Sequence, residues 1–212
     1  MLTPPPLDLV GYRACLEACR ERYPGLRILS GVELSEPHWH ASRAESLLDT
    51  GGFERVLASV HSAATAGGAG FTEVSECYQH QPPEQVVRDY LHETVRLIEQ
   101  FDRFEVLAHI DYPVRHWPLD AKPYDPRDFE DEYRQVLSRL AAAGKVLEVN
   151  TRMPLDPLVL RWWRQEGGRA IAFASDAHSP DAVARDFGEA VRLAEAAGFR
   201  AAREPYDFWR CG

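Results

Sequence analysis

FASDAHSPDAV, residues 173–183, ends an apolar run that starts at Arg169 and then sets an acid and a histidine two residues apart, Asp176 and His178. Ser179 and Pro180 follow, as at a helix start. The same event recurs upstream. LRILSGVE (26–33) stops on Glu33, RVLASVHS (55–62) delivers His61, and FEVLAHID (104–111) delivers His109 with Asp111 behind it. KVLEVNT (145–151) carries Glu148 and ends at Asn150 and Thr151. Around these runs the spacing predicts helices over 8–23, 41–49, 82–101, 126–143, 157–166 and 187–197. Strands alternating with helices predict a parallel sheet, and strand runs apolar on both faces predict helices on both sides, as in a barrel. Functional residues collect at the C-terminal ends of such strands.

Glu33, His61, His109, Asp176 and His178 make two carboxylates and three imidazoles, a set that suits Zn, Mn, Fe or Co. A lone strand-end histidine is usually a satisfied polar group. The shared address of all five is what points to metal. Glu33 or Asp176 could bridge two ions, and two ions about 3.5–4 Å apart are the usual clamp for phosphate-ester hydrolysis. Strand alternation predicts Asp176 and His178 on one face, at the pocket mouth. PHWH (37–40) offers another His-x-His, His38 and His40, but it lies past the strand and reads as a loop or a substrate-facing segment.

The chain has 212 residues, 45% hydrophobic and 27% charged, which predicts one globular domain over 1–212. A net charge of -9 disfavours nucleic acid as a partner. No run approaches the ~20 apolar residues of a membrane span. Cys15, Cys19, Cys77 and Cys211 show no framework spacing, and MLTPPPLDLV has neither a basic start nor an apolar run of signal length. A reducing, cytoplasmic setting is the expectation, with Cys15 and Cys19 as half-buried thiols of the first helix. ATAGGAGFTE (64–73) reads as a flexible loop, suited to an active-site lid or to plain surface.

GVE (31–33), SVHS (59–62), AHID (108–111), LEVNT (147–151) and SDAHSPDAV (175–183) occur in this order, with a helix, DFGEAVRLAEAAGF (186–199), after the last. In these motifs the chain resembles the PHP (polymerase and histidinol phosphatase) superfamily over about residues 8–199, most closely its histidinol-phosphate phosphatase branch. The resemblance implies an α/β fold, a distorted TIM-like (β/α)7 barrel, with two or three divalent ions (Zn, Mn or Fe) at the strand ends. Glu33 looks like the carboxylate bridging two ions, His61 and His109 like ligands of one, Asp176 like a ligand of the other, and His178 like a ligand of the third. Arg115, six residues after His109, and Arg152 look like phosphate-binding arginines. The implied reaction is hydrolysis of a small phosphomonoester, first of all histidinol phosphate in histidine biosynthesis, by a metal-activated water with Asp176 or a neighbouring histidine such as His178 assisting proton transfer.

The chain departs from the family pattern at its start. Members of the superfamily begin with a strand ending His-x-His and follow it with a Thr-Asp-His-like element, and neither is present here. The expectation is therefore a barrel missing about its first two β/α units, in which the Glu33, His61 and His109 ion keeps its full protein set. Two alternatives stay open: a PHP-type phosphoesterase acting on another substrate, and an inactive incomplete barrel that binds metal weakly. The sheet edge left open predicts cover from the N-terminal helix or from a second copy in a homodimer.

Overall fold

The computed structural model describes residues 7–64, 70–204 and 206–211. Helix α1, Leu9–Arg22, starts where the Asp8 carboxylate accepts the Gly11 N–H at 3.0 Å, and it ends before Pro24 and Gly25. Strand β1 (Gly31–Ser35), helix α2 (Ala41–Gly51) and strand β2 (Arg55–Ser59) form the first β/α unit. A short antiparallel pair, β3 (Ser62–Ala64) and β4 (Phe71–Glu73), leads through α3 (Val74–Cys77) into α4, Pro83–Gln100. Next come β5 (Val106–Leu107), α5 (Glu130–Ala142), β6 (Val146–Asn150), α6 (Pro157–Gln165), β7 (Ala170–Ala174) and α7 (Phe187–Ala196). Strands β8 (Phe199–Arg200) and β9 (Trp209–Cys211) close the order.

The sheet runs β1-β2-β5-β6-β7-β9-β8. The first five strands are parallel, as the strand–helix alternation predicts, and β9 pairs antiparallel with β7 and with β8. Strand β6 lies at the centre, and all five of its residues are buried. The core forms where α4, α5 and α6 cover the sheet. Leu97, Leu107, Leu137, Leu147, Leu160, Ile171 and Trp163 are fully buried in it. Glu130, Asp131 and Glu132 suit the first turn of α5, and the Asp156 carboxylate caps α6 through the Leu158 N–H at 2.8 Å.

Several expectations are refined. The strands β1 and β8 stand at opposite edges with no pairing between them among the described residues, so the described chain forms an open, mostly parallel sheet; closure into a barrel is not seen. The strand expected over 104–111 keeps ladder pairing only at Val106–Leu107, because the chain turns out of the sheet at His109, whose φ is 22°. The loop expected over 64–73 falls partly outside the described residues, and its end forms β4. Cys15 is exposed and Cys19 half-buried, since α1 buries no residue fully. The first six residues of the leader reading lie outside the described residues. No described helix is long and apolar enough to cross a membrane.

Candidate metal centre

Strands β1, β2 and β5 are neighbours in the sheet, and each brings one ligand-type side chain to the same end. Glu33 comes from β1 itself, His61 lies two residues beyond β2, and His109 lies two beyond β5. One ligand atom from each of the three falls within 4.8 Å of the other two, close enough for a single ion. His109 Nε2 stands 3.0 Å from Glu33 Oε1, and His61 Nε2 stands 3.5 Å from the same oxygen. The Ser35 hydroxyl lies 2.9 Å from His61 Nδ1, which leaves Nε2 turned toward Glu33.

Both histidines are held by their main chain as well. The buried Glu36 carboxylate accepts the N–H groups of His61 and of Ser62, the latter at 2.8 Å. The buried Glu148 carboxylate accepts the His109 N–H at 3.1 Å and the Asn150 side-chain amide at 2.7 Å. The Tyr90 hydroxyl donates to the His109 carbonyl at 3.0 Å. A non-glycine residue at positive φ is uncommon, and these contacts are what hold His109 in place. His109 Nδ1 is buried with no hydrogen-bond partner among the described residues.

The electrostatics favour a cation. Burial raises the Glu33 carboxyl, but the hydrogen bond and charge of His109 outweigh it and bring the group down to about 2. Burial, and then the neighbouring His109 charge, push His61 down to about 4, so its ring is neutral at pH 7. For His109 burial works downward, yet the Glu33 hydrogen bond and charge prevail and raise it. Burial also raises Glu36 and Glu148.

Asp176 and His178 do not join this cluster. The chain leaves β7 at Ala174, and Asp176 takes a left-handed φ of 48°, so strand alternation no longer applies beyond it. Asp176 Oδ2 accepts from Arg115 Nη1 at 2.6 Å, and Arg152 Nη1 approaches the same oxygen at 3.4 Å. His178 is 77% exposed, with Nδ1 2.9 Å from the Asp176 carbonyl. Arg115 is nearly buried, and its Nε and Nη2 have no hydrogen-bond partner among the described residues. Two guanidinium donors therefore stand ready for an oxygen acceptor beside the carboxylate. His38 is turned away from the centre: its Nε2 meets the buried Glu93 carboxylate at 2.6 Å, with Trp39 Nε1 donating to the same oxygen at 2.9 Å. His38 is thus a structural tie to α4, while His40 is exposed, with its ring 6.0 Å from that of Phe71. Sequence reading missed Ser35 and Glu36; Glu148 was visible as an acid inside an apolar run.

The family model described as "PHP domain" matches residues 7–152. The chain belongs to the PHP domain family. This PHP domain is 25% identical over 181 residues to the histidinol-phosphatase of Lactococcus lactis subsp. lactis, covering 82% of this chain and 66% of the relative. To the Thermotoga maritima protein named "Probable histidinol-phosphatase" it is 31% identical over 121 residues, 54% of this chain and 49% of that one. The chain thus spans about half to two thirds of the length of these curated relatives. The crystal structure of the Lactococcus lactis histidinol phosphate phosphatase, complexed with Zn, L-histidinol and phosphate, superposes with a TM-score of 0.78 at 24% identity, covering 92% of this chain and 76% of that one. This likeness establishes the α/β fold of the PHP domain.

Proposed function

We propose that this PHP domain is a metal-dependent phosphatase for a small phosphomonoester, with histidinol phosphate as its substrate. The observation that carries the reading is the convergence of Glu33, His61 and His109 beside a nearly buried arginine with two unpartnered donors. The relatives named for histidinol phosphatase activity supply the substrate class.

Glu33, His61 and His109 would hold one divalent ion, Zn, Mn or Fe. The donor set fits: an ionised carboxylate, a neutral His61 ring and a His109 ring freed of its proton on binding. Such an ion supplies Lewis acidity toward the phosphoryl oxygens and lowers the pKa of water. Asp176 and His178 are the remaining ligands proposed for a second and a third ion. Arg115 and Arg152 bind the phosphoryl oxygens, and Arg115 Nε and Nη2 are placed to donate without first breaking a bond. Where Asp176 and His178 hold no ion, the Asp176 carboxylate, held by Arg115 and flanked by His178, would orient the attacking water, or His178 would assist proton transfer from it.

Elemental analysis of the purified chain and of its His61→Ala variant tests the centre, with phosphate release from histidinol phosphate measured alongside. About one ion or more per wild-type chain, reduced in the variant together with phosphate release, is the expected outcome. A folded wild-type chain that takes up neither Zn, Mn nor Fe and releases no phosphate would overturn the reading.

A further inference from the structure

Tyr112 stands beside the candidate centre without a part in the proposed chemistry. It opens the 3₁₀ turn Tyr112–His116, and its N–H donates to the His109 carbonyl at 2.9 Å. Its half-buried ring meets the His61 ring edge-to-face, with centres 4.7 Å apart and planes at 79°. The His109 ring lies 5.2 Å away, tilted by 41°. The rings of His116 and Tyr90 are farther off, at 5.4 and 6.4 Å. Aromatic pairs attract over centre distances of about 4.5–7 Å, so both histidines of the cluster gain a hold from this one ring.

The same ring serves Arg115. On a 3₁₀ turn, side chains three residues apart stand one above another. Arg115 is three residues after Tyr112, and its guanidinium carbon lies over the tyrosine ring, 5.2 Å from the centre. Such a cation needs a second contact. Arg115 Nη1 bonds Asp176 at 2.6 Å, while Nε and Nη2 have no hydrogen-bond partner among the described residues. A bond at one nitrogen lets the planar guanidinium swing about that nitrogen. An aromatic face within about 6 Å attracts the cation and limits the swing.

We infer that Tyr112 is a positioning residue that sets Arg115 against the Glu33, His61 and His109 cluster, through the faces and edges of one ring. The inference rests on the phosphatase reading and deepens it. A phosphoryl group held by Arg115 beside the cluster is gripped well only when guanidinium and imidazoles keep a fixed separation, and Tyr112 is the side chain that touches both. All of these contacts belong to the ring, so its hydroxyl is dispensable for this role.

Calorimetry of inorganic phosphate with the zinc-loaded chain, freed of excess ion, tests the inference as a cycle of variants. Tyr112→Leu is expected to weaken phosphate binding about fivefold to tenfold, and Tyr112→Phe to stay within about twofold of the wild-type chain. In an Arg115→Ala background, Tyr112→Leu should change the affinity by less than about twofold, a dependence that a purely structural role would not produce. Equal falls in the two backgrounds would overturn the inference. So would no fall in either, or a phenylalanine variant as weak as the leucine one. Tyr112→Met, bulky and without a ring, runs the same cycle where the leucine variant does not fold. The expected pattern in a chain that releases no phosphate from histidinol phosphate would overturn the phosphatase reading and leave the hold of Tyr112 on Arg115 in place. Hydrolysis of the ester by a chain whose phosphate affinity ignores Tyr112→Leu would overturn the inference alone.

Discussion

His109 can hold an ion only when its ring has lost a proton, and in the metal-free chain its hydrogen bond to Glu33 works against that loss. His109 lies above the ordinary histidine value of 6.5, whereas His61 at about 4 and Glu33 at about 2 are already in their ligating forms at neutral pH. One proton therefore governs uptake near neutrality. Below the His109 value an arriving ion must displace it, so log affinity should rise with pH at a slope of about one, and the slope should fall to about zero above that value. Competition against a chelating dye at a series of pH values measures it; a flat profile would show that His109 takes no part. The linkage to folding has the opposite sense for the two partners. The raised His109 stabilises the metal-free chain below pH 6.5 and loses that contribution as pH rises through its folded value. The lowered Glu33 stabilises it above pH 4.5 and loses its share as pH falls through about 2. At this scale the sequence pointed to the three residues that the structure brings within 4.8 Å of one another, because each lies at or just past a strand end. It could not disclose which ring nitrogen each histidine presents, since that depends on Ser35 and on contacts across the sheet.

At the scale of elements, the centre is a matter of how strands hand over to loops. The helices over 41–51, 83–100 and 157–165 were legible to within two residues, because apolar periodicity agrees with a Gly stop in the first, a Pro start in the second and both in the third, whereas α5 begins four residues past its expected start and α3 was not foreseen. The strand ends were legible only as addresses. Strand β5 has two paired residues, and nothing in FEVLAHID signals that the chain leaves the sheet before His109. Strands β8 and β9 are too short to show alternation, so the antiparallel edge was invisible. What compensates for the early exit of β5 is Glu148 on the next strand, β6, which reaches across to the His109 N–H. Glu148→Gln keeps an acceptor oxygen in the same place, and Glu148→Ala removes it. We expect Ala to weaken metal affinity about 10- to 100-fold and Gln to recover most of it, as read by the same dye competition. Equal losses in both variants would show that the charge of Glu148, rather than its hold on the backbone, matters.

On the scale of the whole molecule, an ion at this centre joins residues 33, 61 and 109 across three neighbouring strands. Anything that binds only the folded chain stabilises it by mass action. With free ion at about 100 times Kd the gain is about 2.7 kcal/mol, which for a chain of this size shifts Tm by roughly 5–10 °C. Chelation should lower Tm by that amount in the wild-type chain and by little in His61→Ala; equal shifts in both would place the stabilising ion elsewhere. The net charge of -9 leaves the arginine-flanked centre as a local exception on an acidic surface, which favours small anions reaching it over polyanions.

Strand β1 has a ladder partner on one side only among the described residues, and it carries the carboxylate that both histidines face. Edge strands open more readily than central ones, through local unfolding that leaves the rest of the sheet intact. The lifetime of a bound ion is then tied to the fraying of five residues, Gly31–Ser35. Amide hydrogen exchange along that strand and dissociation of the ion become two readings of one gate, and whatever stiffens this margin of the sheet also lengthens the residence of the ion.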